Sequence, residues 1–203
     1  MANHVMNTTQ RSTQRVFIAL ALGALGLLGG KVALSAIKPD QVFVADAKKN
    51  KSYVGNGVIV GGDWAIDDFT VSGIRRASNA GYERIVIDLE GNRSGEPAAV
   101  DRPPYYHVAI SPEPKRVIVT ILGKPRLGFD PSKVSSAFKK SALVNKVELL
   151  PLVERDRWSF VLNLKRAGSV EVFELNHPTR IILDLKALAL RTKSQTSEKV
   201  EEN

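Results

Sequence analysis

Cysteine is absent from the 203-residue chain, and histidine occurs only three times. The absence of cysteine excludes disulfides, thiolate metal sites, a cysteine nucleophile and a lipidated cysteine anchor. A zinc hydrolase needs several histidine and carboxylate ligands at one site. His4 lies near the amino terminus, and His107 and His177 are isolated in a predicted strand and a predicted turn. We therefore expect neither a metal site nor a cofactor.

The short motifs that mark common enzyme sites are also missing. The sequence contains no G-x-S-x-G nucleophile elbow and no glycine-rich phosphate loop before Lys-Ser or Lys-Thr. Carboxylates are numerous, for example Asp63, Asp67 and Asp68, but nothing in their spacing places two of them across a cleft, as glycoside hydrolysis requires. We predict a protein that is not an enzyme; a hydrolase with unfamiliar residues is the least favoured alternative.

The amino-terminal residues contain the longest apolar run. Arg11 and Arg15 precede fifteen apolar residues, Val16–Gly30, which are followed by Lys31 and a second apolar piece, Val32–Ile37. This order is typical of a secretory signal. A fifteen-residue helix is about 22 Å long, shorter than the ~30 Å hydrocarbon core of a membrane. We predict that residues 1–47 are either a cleaved signal peptide or an uncleaved anchor in the inner membrane, with a linker, and that the rest of the chain is periplasmic.

The remainder predicts an all-β domain over residues 48–187, with a core over 69–185, and a flexible polar tail over 188–203. Short β-branched runs alternate with Gly, Pro and Asn clusters, as in all-β proteins. The predicted strands are Gly57–Val60, Phe69–Arg75, Arg84–Leu89, Tyr105–Ile110, Arg116–Leu122, Lys146–Leu152, Ser159–Leu164, Ser169–Leu175 and Arg180–Leu185. Asp130 followed by Pro131 is a helix start signal, which predicts one helix over Pro131–Ser141. Residues 48–51 are polar and are expected to be a flexible end.

Four strands share one sequence pattern. Arg84–Leu89 and Arg180–Leu185 both follow R-I-(V/I)-(I/L)-D-L, and the same rhythm returns in Arg116–Ile121 and Ser159–Leu164. The chain divides into two similar halves of three strands each, which indicates duplication of one β-meander. Because the apolar face of one unit cannot be buried alone, we predict a two-sheet β-sandwich from a duplicated three-strand unit, with one helix linking the halves.

The second half resembles the AMIN domain, the amidase N-terminal module of bacterial envelope proteins. The resemblance lies in Phe160–Leu164, Val170–Leu175 and the ending Asn176–Leu185, in which Pro and Arg precede an apolar strand that closes on Asp-Leu. The first half, from Val71 to Gly91, is similar to the opening of the same domain. The resemblance implies two similar β-sheets and a non-catalytic targeting role, typically binding to peptidoglycan or assistance to the secretin pores of pilus and secretion machines. The chain departs from the family in having no recognisable amidase, secretin or wall-binding segment beside the domain.

The chain has a net charge of +8, and its middle, from Lys115 to Arg166, is particularly basic. Such charge attracts anionic polymers, although diffuse positive charge is also typical of an ordinary solvated surface. The predicted binding residues for a wall polymer are Tyr105, Tyr106, Arg116, Lys124, Arg126, Lys139, Lys140 and Arg180. The tyrosines offer flat surfaces to sugar rings or form cross-strand core pairs, and the two adjacent lysines offer charge to a ligand or to the helix dipole.

The expected partner is peptidoglycan or another anionic envelope polymer. The export signal argues against nucleic acid. The alternative is an accessory factor of a pilus, secretin or inner-membrane assembly, which would use exposed strand edges to bind a protein.

Overall fold

A computed structural model of the protein describes residues 41–93, 96–98, 101–151 and 156–188. The predicted export signal lies almost wholly outside these ranges, and so does all but the first residue of the polar tail. The described residues form twelve strands and one helix. In chain order these are β1 Val42–Val44, β2 Gly57–Gly61, β3 Phe69–Asn79, β4 Tyr82–Arg93, β5 Glu96–Ala98, β6 Tyr106–Pro112, β7 Lys115–Leu122, β8 Pro125–Leu127, α1 Pro131–Phe138, β9 Val144–Leu149, β10 Arg157–Leu164, β11 Gly168–Leu175 and β12 Arg180–Ala187.

The strands form two sheets that bury a shared core, so the predicted all-β sandwich is confirmed. Sheet A has the order β1-β2-β6-β7-β10-β9, and sheet B has the order β11-β12-β4-β3-β8, with β5 beside β4. Alternate residues of each strand face inward, for example Ile85 and Ile87 of β4 and Val117 and Val119 of β7, all of them fully buried. Trp158 of β10 fills one end of this core.

All nine predicted strands are present, most of them longer than predicted. The prediction missed β1, β5 and β8, which have three residues each and are too short to show an alternating pattern. The helix begins as predicted, because the Asp130 side chain caps it by accepting the backbone N–H of Ser132. It ends at Phe138, three residues before the predicted end.

The two halves of the chain do not form one sheet each, so the predicted β-meander is wrong. The first strand of each half crosses to the other sheet: β4 pairs with β12, and β10 pairs with β7. Sheet A therefore contains β6 and β7 of the first half with β10 of the second. Sheet B contains β11 and β12 of the second half with β4 of the first. Neither half completes a sheet alone.

The shared sequence pattern explains how the crossed strands pair. Arg84 lies opposite Asp184, and Asp88 lies opposite Arg180, so the two R-I-x-x-D-L segments are complementary when antiparallel. Arg84 binds Asp184 through two hydrogen bonds of 2.7 and 2.8 Å. Arg180 donates to Asp88 at 2.9 Å, and Arg75 of β3 adds two more bonds to the same carboxylate. These ion pairs form a row on the outward face of sheet B, which we call the Arg–Asp row.

Sheet A repeats this register with uncharged partners. On β7 and β10, Arg116 lies opposite Asn163 and Thr120 lies opposite Ser159. The Thr120 and Ser159 hydroxyls are 2.7 Å apart and share a hydrogen bond. The duplicated strands thus pair in the same register in both sheets, and in sheet B these positions form ion pairs.

The domain begins earlier than the predicted boundary at Lys48, because β1 pairs with β2. Residues 45–54, which we call the strap, then lie against β11, the edge strand of sheet B. Asp46 and Val54 each form a bridge to this strand. Lys49, between them, forms an ion pair with Asp184. The expectation that residues 48–51 are a flexible end is therefore wrong.

The two ends of the Arg–Asp row differ in burial, which gives a stability prediction. The Asp184 side chain is 0% exposed and the Asp88 side chain is 22% exposed. Burial alone would raise the pKa of Asp184, but hydrogen bonds from Arg84 and Lys49 hold it below its ordinary value. In urea unfolding, we expect Asp184→Asn to lower the free energy of unfolding by about 3 kcal/mol and Asp88→Asn by about 1 kcal/mol. Equal losses would contradict this account of the row.

Candidate functional site

An open cleft of about 420 Å³ lies where β1, the end of β2 and the end of β11 meet. Its walls combine small apolar residues with one cation and one carboxylate. The lining residues are Val44, Ala45, Ala47, Gly61, Gly62, Arg102, Glu174, Leu175 and Asn176. A concave site with a few polar groups among apolar walls is the usual form of a ligand pocket.

The floor of the cleft depends on two adjacent glycines. Glu174 accepts the backbone N–H of Gly62 at 2.7 Å and the hydroxyl of Tyr106 at 3.1 Å. A Cβ atom on Gly61 would lie 2.5 Å from that hydroxyl oxygen, and Gly62 has a φ of +79°, which disfavours any side chain. The glycine pair therefore lets the backbone approach the carboxylate closely enough to fix its position.

A stacked aromatic pair stands beside the cleft. The rings of Trp64 and Tyr105 are 3.8 Å apart between centroids and 16° from parallel. Trp64 is 52% exposed and Tyr105 is buried beneath it. Asp63 holds the pair in place: its backbone carbonyl accepts the N–H of Tyr105 at 3.0 Å, and its backbone N–H donates to Pro103 at 2.9 Å. The two loops that carry the rings are thus joined through their backbones.

The cleft and the aromatic pair form one continuous surface. Asp63 follows Gly62 of the cleft and precedes Trp64. Its carboxylate forms an ion pair of 3.5 Å with Arg102, a second cleft residue, whose side chain is 54% exposed. This surface therefore presents the accessible guanidinium of Arg102, the carboxylates of Asp63 and Glu174, and the exposed indole of Trp64.

The structure places only one of the predicted binding residues at this site. Tyr105 forms the lower ring of the stack. Tyr106 is fully buried in the core, where its hydroxyl binds Glu174, so its ring offers no surface to a ligand. Arg116 and Arg180 lie on the outward faces of opposite sheets, and so on opposite sides of the sandwich.

The ion pairs of Lys124 and Arg126 involve neither Tyr105 nor a residue that lines the cleft. Lys124 forms an ion pair with Asp67, and Arg126 of β8 forms one with Asp68. Lys139 and Lys140 follow the end of α1 and are exposed. The basic middle of the sequence is thus spread over several surfaces.

Sequence reasoning missed Trp64, Arg102 and Glu174 as site residues. The available signal was a tryptophan close behind two adjacent glycines, Gly61 and Gly62. The contacts of Arg102 and Glu174 join segments far apart in the chain, which no local pattern indicates.

Neither described histidine is among the residues that line the cleft. Among the described residues, no three His, Asp or Glu side chains are grouped to hold a metal ion. Burial, with a smaller effect from Arg157, lowers the pKa of His107 to about 4, so this histidine is neutral at physiological pH. His177 is exposed and lies 3.2 Å from Asp101.

Within the part of the chain that the structure describes, no helix is long and apolar enough to cross a membrane.

Comparison with protein-family models finds no match to this chain, and comparison with curated proteins finds none either. The AMIN resemblance therefore stays a prediction from the sequence. The function is argued below from the residues themselves.

The low pKa of His107 predicts a specific pH dependence of stability. The unfolded chain binds a proton at this residue below about pH 6.5 and the folded one only near pH 4, so stability is present above pH 6.5 and is lost as the pH falls. Urea unfolding of the native sequence should lose about 2 kcal/mol from this residue between pH 7 and pH 5. His107→Gln should remove that part of the slope. His177→Gln is the matched control, and an equal change in slope there would contradict the assignment.

Proposed function

We propose that the protein is a non-catalytic binding protein of the bacterial cell envelope, which holds peptidoglycan through the cleft and the Trp64–Tyr105 pair. One observation carries this proposal. An exposed tryptophan is held by stacking beside a cleft that contains an accessible arginine.

The aromatic pair suits the glycan strand. A sugar ring has an apolar face, and a flat indole offers it a large contact area with little loss of side-chain freedom. Because Tyr105 lies beneath Trp64 at 3.8 Å, the indole is already oriented before a ligand arrives. Preorganisation of this kind raises affinity without new contacts.

The cleft suits the peptide stem that branches from the glycan. The stem carries carboxylates, amide groups and small apolar side chains. The Arg102 guanidinium can bind a carboxylate through two parallel hydrogen bonds, and the Glu174 carboxylate can accept N–H groups. Val44, Ala45 and Leu175 supply apolar walls of the right size for short side chains. Sugar and stem would therefore occupy adjacent parts of one surface.

Two sequence features support the same proposal. The export signal would carry the domain to the periplasm, whether it is then released or remains tethered to the inner membrane. The AMIN resemblance implies a wall-targeting role. An accessory role in a pilus or secretin assembly is the second candidate, and β9, which pairs with a strand on one side only among the described residues, favours it.

A sedimentation assay with membrane-free sacculi at physiological salt tests the role of the aromatic pair. We expect the native chain to sediment with the sacculi and Trp64→Ala to bind about tenfold more weakly, by analogy with nucleic-acid bases stacked on aromatic side chains, where loss of the ring costs about 1–3 kcal/mol. Leu127→Ala removes another exposed apolar side chain, on sheet B, and should bind normally. Undiminished binding by Trp64→Ala would reject the site.

A second assay separates the stem from the glycan. Arg102→Gln keeps the size and polarity of the side chain but loses the charge that binds a carboxylate. We expect it to weaken binding to intact sacculi severalfold and to leave binding to glycan strands stripped of their stems unchanged. Equal weakening on both polymers would show that Arg102 does not contact the stem.

A further inference from the structure

The edges of the two sheets differ in how well they are closed. Sheet A ends in β1 and β9, and sheet B ends in β11 and β8, with β5 beside β4. The strap meets β11 at two bridges. β1, β5 and β8 have three residues each, and β8 begins with a proline. β9 has six residues and no proline, and no described strand pairs with its outer side. A short strand or a proline protects an edge from further pairing, and β9 has neither protection.

The outer side of β9 presents backbone groups that are directed away from β10. Leu150, directly after β9, donates its N–H to the carbonyl of Ser159 in β10 at 3.2 Å. In an antiparallel pair, alternate residues direct both backbone groups to the same side. Glu148 therefore faces β10 as Leu150 does, while Val147 and Leu149 direct their N–H and C=O groups outward. An added strand would meet these groups in register.

The side chains of β9 carry a charge pattern that is complementary to itself. Lys146 and Glu148 lie two residues apart on one face of the strand, and their side chains are 66% and 40% exposed. In an antiparallel pair of two copies centred on Val147, Lys146 of each copy lies opposite Glu148 of the other. Opposite charges across a strand pair are stabilising, and like charges are destabilising.

The same charges discriminate between neighbouring registers. If Val147 paired with Leu149 of the other copy, the two copies of Glu148 would lie opposite each other. If Val147 paired with Asn145, the two copies of Lys146 would lie opposite each other. Of these three registers, only the one centred on Val147 places every charge opposite its counterion.

We propose that β9 pairs antiparallel with β9 of a second copy of the chain, about a twofold axis at Val147, and so joins two copies of sheet A into one sheet of twelve strands. Twofold pairing is the commonest symmetry of homo-oligomers. The strand edge supplies backbone hydrogen bonds, and the self-complementary charges favour a second copy over a different protein. Because two six-residue strands bury little surface, the dimer is weak and forms in a concentration-dependent way.

The dimer would hold two clefts apart in a fixed arrangement. The cleft of each copy lies beside β1, at the opposite edge of sheet A from β9. Since neighbouring strands are about 4.8 Å apart, the two β1 strands would be separated by about 50 Å. Two linked clefts would bind a polymer more strongly than one cleft does. This consequence rests on the proposed wall binding, whereas the pairing of β9 does not.

Charge reversal in the full-length chain tests the proposal by sedimentation equilibrium, with every sample in the same mild detergent. Lys146→Glu places glutamates opposite each other, and Glu148→Lys places lysines opposite each other. We expect each variant alone to dimerise at least tenfold more weakly than the native chain. An equimolar mixture of the two should dimerise at least as strongly as the native chain, because every opposed pair then has opposite charges. Lys115→Glu, at the exposed start of β7, is the matched control and should dimerise normally.

Recovery in the mixture is a result that a purely structural role of the Lys146–Glu148 ion pair within one chain would not give. A native chain that stays monomeric at millimolar concentration would overturn the proposal. Native dimerisation by either single variant, or absence of recovery in the mixture, would overturn it as well.

A cross-linking measurement tests the register and remains usable if the charge variants do not fold. Because the chain has no cysteine, one introduced cysteine can form a disulfide only between copies. Val147→Cys places two Cα atoms about 5.5 Å apart across the axis, within the range of a disulfide. Asn145→Cys is the control, since its two copies would lie about 14 Å apart.

We expect mild oxidation to cross-link Val147→Cys at least ten times faster than Asn145→Cys. Residue 145 is exposed and residue 147 is partly buried, so random collision would give the opposite order. Equal rates, or faster cross-linking at residue 145, would overturn the proposed pairing.

Discussion

The reciprocal pairing of arginine and aspartate between β4 and β12 is the contact on which the fold depends. It fixes the register of two strands that come from different halves of the chain. A slip of one residue would turn the apolar side chains of these strands out of the core and separate both ion pairs. Because the first strand of each half lies in the other sheet, the register of β4 against β12 also fixes how the two halves pack together. The pairing of β7 with β10 repeats this register with Asn163 and Ser159 in place of the second charged partner, so the ion pairs of sheet B add specificity to an arrangement that hydrophobic burial already favours.

Much of this fold could be predicted because long strands carry their own signal. The alternating runs around Ile85, Val117 and Leu183 indicate one buried face each, and Asp130-Pro131 marks the start of the helix. The exchange of strands could not be predicted, because segments that share R-I-x-x-D-L are complementary to one another wherever they lie. The candidate site was harder still. Trp64 and Tyr105 stack only because Asp63 joins two distant loops, and a count of charges gave the basic residues a common role that their positions do not support.

The strap links the cleft physically to the edge of sheet B. Ala45 and Ala47 belong to the strap and also line the cleft, and the backbone of Asp46 holds Glu174, whose carboxylate lies at the cleft floor. Displacement of the strap from β11 would therefore change the shape of the cleft. A ligand that prefers the closed cleft would in turn hold the strap in place, since coupling of this kind acts equally in both directions.

The complementary sequences of β4 and β12 indicate one route by which such a domain can arise. The first strand of each half pairs with the third strand of the other, so a twofold axis that exchanged the halves would map the β4–β12 pairing onto the β10–β7 pairing. A chain containing a single three-strand unit would meet a copy of itself through two equivalent pairings of a first strand with a third strand. Fusion of two such units would keep every contact and remove the need for a partner. After fusion the halves are free to diverge, and the acquisition of a strap by one sheet edge alone is a change that an obligate symmetric dimer would have had to make twice.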